Sequence, residues 1–235
     1  MVGGVTYYRG VLRNAVSLTA LLLLGTAGFA ADARQEARVR AARGLVQELL
    51  LGSNQVVPTA LVEDTRCLAV FPGVVEAALG LGGSHGIGVA SCRTAGGGWS
   101  APAFLRVSGG SIGLQAGFRQ VDLLLFVVTE EGARTLARPS LSLGGEASVA
   151  LGSIDHRAEV STDARFEEDF YLFARARGVF AGASLEGTHL SAALGRIERY
   201  YGELLFAGEL LSGEKTPSLP PEAELYLDVL GSLPD

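Results

Sequence analysis

Lysine is almost absent from this chain. Lys215 is the only one, and the other 18 of its 19 basic residues are arginine. A phosphate loop of the G-x-x-x-x-G-K-[ST] kind is thereby excluded, because its lysine must follow the glycines directly and reach the phosphates. Histidine is scarce as well. His85, His156 and His189 stand apart with no i, i+4 pair, and Cys67 and Cys92 are the only thiols, so zinc motifs lack their ligands. No metal and no cofactor are expected. Charged residues make up only 19% of the chain, and no apolar run reaches the roughly 20 residues that a spanning helix needs. The net charge of −6 argues against a nucleic-acid binder, whose affinity rests on a basic surface.

What is present is apolar side chain and glycine. Apolar residues are 48% of the 235, enough for a real core, and there are 32 glycines without a collagen period or a low-complexity run. Those glycines must serve geometry.

Residues 1–30 differ from the rest. Arg9 and Arg13 precede "AVSLTALLLLGTAGFA", an apolar stretch ending in small residues, which predicts a secretory signal peptide cut after Ala30; an uncleaved anchor is the alternative. Cleavage removes those two arginines and leaves 17 basic against 25 acidic side chains, a net charge of −8. The expected location is exported, in the periplasm or associated with the envelope. In that oxidising setting Cys67 and Cys92 are expected to form a disulfide, the alternative being two buried free thiols.

From residue 33 to 51, Val39, Leu45, Val46, Leu49 and Leu50 fall at helical spacing. A short helix is expected from Pro58 to about Thr65. "CLAVFP", "VVEAALGLGG", "GIGVASCR", "PAFLRV", "SIGLQAGF" and "DLLLFVVT" then read as short strands between Gly, Ser and Pro clusters. "DLLLFVVT" is apolar throughout, so a central position covered on both faces is expected. Thr129 caps a brief helix that Pro139 stops. Strand-like segments resume at "LSLGGEASVALG", "HRAEVSTD", "FYLFARARG" and "VFAGASLEG". A helix from about Ala192 to Leu211, a proline-rich break and the helix "EAELYLDVL" complete the chain.

Several stretches invite a chemical reading. Gly109-Gly110-Ser111-Ile112-Gly113 fits G-x-S-x-G, the nucleophile elbow of serine hydrolases. An elbow needs a strand, a sharp turn carrying the serine, and a helix. The residues after Ser111 alternate with period two and include Gly113 and Gly117, so a strand is expected and the hydrolase is a remote alternative. "GLGGSHGIG" lacks the last glycine of G-x-G-x-x-G and reads as a glycine-rich hairpin with His85 near its turn. "RFEEDF" reads as a solvated acidic face ahead of a cation site. Trp99, the single tryptophan, reads as a core plug or as an amphipathic contact at a lipid interface. Glycines on alternating strand positions mark close approach by another element or a ligand.

The order of "CLAVFPGVVEAALGLGGSHGIGVASCR", "WSAPAFLRVSGGSIGLQAGFRQVDLLLFV", "LGGEASVALG", "RGVFAGASLEG" and "RYYG" resembles the SYLF lipid-binding domain family, found in yeast and animal adaptors and in exported bacterial proteins. The resemblance spans residues 45–202, and the cysteine pair resembles the bacterial branch. It implies binding of membrane lipids, with phosphoinositides and other anionic phospholipids as ligands in eukaryotic members and actin in some fungal ones, and no catalysis. Eukaryotic members carry a basic amphipathic segment at the domain's start. Here the matching helix holds Arg34, Arg38, Arg40 and Arg43 but also Asp32, Glu36 and Glu48, so ligand specificity does not transfer.

The reading at this level is α+β: a curved antiparallel sheet or small barrel with flanking helices at both ends. The signal peptide is 1–30, the lipid-binding domain 31–211, and 212–235 is the proline-rich break with the C-terminal helix. The expected function is non-catalytic binding of membrane lipids, anionic phospholipids among them, at the bacterial envelope; the alternative is a structural or protein-interaction module without a lipid. The expected site is Arg34, Arg38, Arg40 and Arg43 meeting headgroups, with Leu45, Leu49 and Trp99 at the acyl boundary. Equally, the helix of those arginines would serve as a packed cover for the barrel end.

Overall fold

The computed structural model describes residues 33–52, 57–144, 148–153, 168–180 and 188–234. The expected signal peptide, the "HRAEVSTD" strand with His156, and most of "RFEEDF" lie outside the described residues. Helix α1 covers residues 33–50. It is followed by α2 (Thr59–Glu63), β1 (Cys67–Cys92), β2 (Ala103–Val127), α3 (Glu130–Leu136), β3 (Ser140–Ser142), β4 (Val149–Ser153), β5 (Phe170–Phe180), β6 (His189–Ala192), α4 (Leu194–Tyr201), α5 (Ala207–Leu211) and α6 (Pro221–Leu230). The class is α+β, one strongly curled sheet with helices at both ends, as the sequence led us to expect.

The six short strands read from the first half of the sequence are two long ones. β1 runs for 26 residues and β2 for 25, paired antiparallel from Cys67↔Val127 to Ala90↔Ala103. Pro72 does not end β1. The register shifts between Phe71 and Val74, and Gly73 takes a positive φ of 61°, so the proline is absorbed in a bulge where it need not donate to the ladder. His85 accordingly lies inside β1 opposite Ser108, and the hairpin turn falls later, at 93–102.

This two-stranded ribbon curls until its ends meet. Cys67 and Cys92, the first and last residues of β1, form a disulfide, and Arg93 N–H donates to the Arg66 carbonyl at 2.7 Å. The expected cystine is therefore present, joining the two ends of one strand. Glycine permits the approach: a Cβ on Gly88 would lie 2.3 Å from the Val70 carbonyl oxygen, and one on Gly86 2.6 Å from Val74 Cγ2. The close partner of the glycine-bearing strand is thus its own first half.

Curling divides β2 between two neighbours. Its later half pairs with β5, from Gly117↔Phe180 to Val127↔Phe170, and its earlier half pairs with β6, which pairs in turn with β3. All these ladders are antiparallel; β4 alone runs parallel to its neighbour β5, which makes the sheet mixed. The arrangement is a half-barrel. Leu123 to Val127 are buried between β1 and β5, which bears out the central position read from "DLLLFVVT".

Helices close the openings. Val39, Ala42, Leu45, Val46, Leu49 and Leu50 of α1 all belong to the core, and so do Ala223, Tyr226 and Leu230 of α6. Thr129 caps α3 as expected, its Oγ1 accepting from Gly132 N–H at 2.9 Å. The single helix expected over 192–211 is two, α4 and α5. Gly202 ends α4 with φ 75°, a left-handed turn open to glycine at little cost, and β6 occupies the start of that range.

Candidate functional site

The amphipathic helix α1 is docked, and that sorts its residues. Leu45 and Leu49 are 6% and 5% exposed in this structure, not at an acyl boundary: their stripe finds its apolar partner in the barrel end, as in the packed-cover alternative. Three anchors hold α1 there. Arg40 Nε and Arg43 Nη2 donate to the Glu222 carboxylate of α6 at 2.8 and 3.4 Å. Glu48 accepts from Arg175 at 2.6 Å, and Arg175 also bonds Asp122 of β2 at 2.9 Å. Burial pulls the Arg175 pKa down, but its hydrogen bonds and ion pairs with Glu48 and Asp122 outweigh that and hold it above its ordinary value. The third anchor is Arg38, whose Nη1 donates to the Ile87 carbonyl at 2.7 Å.

Following that last bond leads to a cluster that no linear motif announces. Ile87 lies directly opposite Arg106 on β2, and Arg106 lies opposite Ser191 on β6. β6 ends at Ala192, and α4 begins two residues later, carrying Arg196 and Arg199. Arg196 Nη1 reaches back to Gln35 Oε1 of α1 at 3.4 Å. Arg34 and Arg38 of α1, Arg106 of β2, and Arg196 and Arg199 of α4 thus converge from three elements. Burial, and then the like charges of Arg199, Arg106 and Arg34, lower the Arg196 pKa; burial, and then Arg196, lower that of Arg38.

The cluster differs from the other arginines in its partners. Arg40, Arg43, Arg66, Arg119, Arg134, Arg138 and Arg175 each form an ion pair with a carboxylate. Among the described residues no such pair is formed by Arg34, Arg38, Arg106, Arg196 or Arg199. Arg34, Arg106 and Arg199 are exposed, while Arg38 and Arg196 are half-buried on neutral oxygens. Mutually repelling cations without an ion-pair partner among the described residues, on a net-acidic chain, are the arrangement that suits an anion. Guanidinium groups suit phosphate in particular, through paired N–H donors.

Of the residues expected to bind, Arg34 and Arg38 join this cluster, while Arg40 and Arg43 are committed to Glu222. Trp99 sits elsewhere, at the hairpin end of the ribbon. It is half-buried against the core, its ring lies 5.0 Å from the Arg93 guanidinium, and with Leu219 and Leu227 it lines a cavity of about 400 Å³. Ser111 lies inside β2, and the ladder continues on both sides of it through Gly83↔Gly110 and Leu81↔Ile112. The strand–turn–helix of a nucleophile elbow is not there, so the hydrolase reading of Ser111 is withdrawn. Sequence reasoning misses this part of the cluster because Arg106 is far in sequence from Arg196 and Arg199, and the β2–β6 pairing brings them together.

Comparison with known proteins adds to this geometry. A family model described as "Las17-binding protein actin regulator", Ysc84, matches residues 108–233. The chain is 31% identical over 183 residues to the SH3 domain-containing YSC84-like protein 1 of Xenopus laevis, covering 77% of this chain and 54% of that protein. It is 28% identical over 186 residues to protein YSC84 of Saccharomyces cerevisiae, covering 78% and 39% respectively. The human SH3 domain-containing YSC84-like protein 1 is 28% identical over 182 residues, covering 77% and 52%. The chain spans about half of the vertebrate relatives it matches, and less of the yeast one.

Proposed function

This chain belongs to the Ysc84 family, and from that premise we propose that it is a non-catalytic binding protein of the bacterial envelope that takes anionic phospholipid headgroups on its arginine cluster. One observation carries the reading: five arginines from α1, β2 and α4 share a face without a carboxylate partner among the described residues. Each arginine near an anionic surface contributes on the order of 1 kcal/mol, enough for several together to hold a net-acidic body at a membrane. The disulfide supports export, since such bonds persist in oxidising compartments. α1 acts in this reading as a docked scaffold for Arg34 and Arg38, and its apolar face stays in the core.

A second reading has its own support. The family description names a protein, Las17, as what its members bind, so a protein-interaction module of the envelope is the alternative. Co-sedimentation with vesicles of phosphatidylcholine, with and without phosphatidylglycerol, separates the two. Selective binding to the anionic vesicles that is lost in Arg196→Ala/Arg199→Ala supports the headgroup reading. Equal behaviour of the two vesicle types contradicts it.

A further inference from the structure

Beyond α4 the chain exposes large apolar side chains. Leu204 is 62% exposed and Phe206 52%, whereas Leu205 between them is 4% exposed. The alternation comes from the backbone. Gly202 turns the chain out of α4 with a positive φ, Phe206 is extended at φ −92° and ψ 144°, and α5 begins at Ala207. Leu204 and Phe206 point outward while Leu205 anchors the loop in the core. The Phe206 N–H donates to the Glu209 carboxylate at 2.9 Å, and Tyr201 Oη donates to the Pro102 carbonyl at 2.7 Å, so both ends of the loop are fixed.

A leucine and a phenylalanine held outward on a fixed loop are costly in water, since each leaves more than half of its surface exposed. The loop continues directly from α4, whose Arg196 and Arg199 belong to the arginine cluster that lacks an ion-pair partner among the described residues, and Leu194, 38% exposed, opens the same helix. Exposed apolar side chains on the loop that follows an arginine-bearing helix, whose arginines have no ion-pair partner among the described residues, match the layering of a bilayer surface, with anionic headgroups above and acyl chains beneath.

We propose that the Leu204–Phe206 loop is a membrane wedge, entering the acyl boundary of an anionic bilayer while the adjoining arginines of α4, α1 and β2 hold the headgroups. This rests on the headgroup reading above and adds to it the inserted element. Glu203, exposed beside Leu204, sits at the headgroup level in this arrangement and opposes binding.

Placing tryptophan at the loop tests the wedge. Phe206→Trp and the parent protein, whose only tryptophan is Trp99, are mixed with phosphatidylglycerol-containing vesicles carrying brominated acyl chains. The emission added by Phe206→Trp is expected to shift blue and be quenched. Leu204→Ser/Phe206→Ser is expected to lose affinity for the same vesicles on the order of tenfold or more while unfolding at the same urea concentration as the parent, since neither side chain is buried. Glu203→Gln is expected to bind more tightly. A Phe206→Trp protein that binds the vesicles without blue shift or quenching overturns the wedge and leaves the headgroup reading standing. Absence of vesicle binding by the parent protein overturns both. Self-association of the parent that disappears in Phe206→Ser assigns the loop to a second copy of this chain and also overturns the wedge.

Discussion

Gly88 faces Val70 across the closed ribbon so closely that a Cβ at residue 88 would lie 2.3 Å from the Val70 carbonyl oxygen and 2.5 Å from Phe71 Cδ1. The obstacle on one side is backbone, which cannot swing away, so a larger residue must push apart the two halves of β1. Gly88→Ala is therefore expected to destabilise the protein by about 3 kcal/mol in urea unfolding. Gly110→Ala, where nothing lies within 4 Å, is the control and is expected to stay within about 1 kcal/mol of the parent. Equal effects of the two would contradict a close approach at Gly88.

Asp122 joins three elements: its carboxylate accepts from Gly73 N–H at 2.9 Å, within the β1 bulge, and from Arg175 of β5, which also holds Glu48 of α1. The side chains of Asp122 and Arg175 are only 8% and 14% exposed, while that of Glu48 is 60% exposed. Removing the buried partner leaves a cation and an N–H short of an acceptor, so Asp122→Ala is expected to cost about 3 kcal/mol. Glu48→Gln changes only the exposed partner and leaves Arg175 its bond to Asp122, so it is expected to cost less than about 1 kcal/mol. Urea titration of the two variants checks the order, and the reverse order would refute it.

The cystine closes a loop with a sequence separation of 25. By the chain-entropy account, Cys67→Ala/Cys92→Ala is expected to lose about 3 kcal/mol. Retention of full stability would show that the sheet's hydrogen bonds alone close the curl.

Tyr200, Tyr201 and Tyr226 have pKa values raised by burial, with Glu36 and Glu222 adding to the shift at Tyr200 and Tyr200 itself adding at Tyr201. Linkage gives the sign. An acid whose folded pKa is raised contributes stability that is fully present below its unfolded pKa of about 10 and is lost as pH rises toward the folded value. Above pH 10 each such tyrosine is expected to remove about 1.4 kcal/mol per pH unit. Phenolate absorbance at alkaline pH should accordingly appear for these residues together with cooperative unfolding; free titration near pH 10 in the folded protein would contradict their burial.

Tyr226 allows a sharper test. Its hydroxyl is fully buried with no hydrogen-bond partner among the described residues. Tyr226→Phe is expected to be neutral or to stabilise by about 1 kcal/mol in thermal unfolding, and a loss above about 2 kcal/mol would reveal a partner for the hydroxyl.

Local chemistry was legible in the sequence. The amphipathic stripe of α1, the Thr129 cap, the buried run Leu123–Val127 and the strand character around Ser111 all arise from spacing and turn residues. The segment order also carried the family, which the match over residues 108–233 bears out. Strand continuity was not legible. Pro72 and the glycines near Gly80 punctuate a sequence reading, yet a bulge and a curl carry β1 through them. The site was half legible. Amphipathicity identified α1 but not which of its faces meets solvent, and Leu45 and Leu49 went inward because the barrel end needed a cover. Arg106 pairs with the residues leading into α4 only after β6 adds to β2, a relation between distant segments that no local pattern encodes.

The central claim is that the arginine cluster recognises anionic headgroups, and vesicle co-sedimentation of the protein with Arg196→Ala/Arg199→Ala tests it most directly. Arg199 is exposed and Arg196 is half-buried with one long hydrogen bond to Gln35, so the fold should hold. Binding to phosphatidylglycerol-containing vesicles is expected to weaken about 30-fold and to become less dependent on salt. The Arg134→Ala/Arg138→Ala pair, whose arginines are neutralised by Glu130 and Glu131, should change little. Undiminished binding of the Arg196→Ala/Arg199→Ala protein, or equal loss in both double variants, would contradict the account.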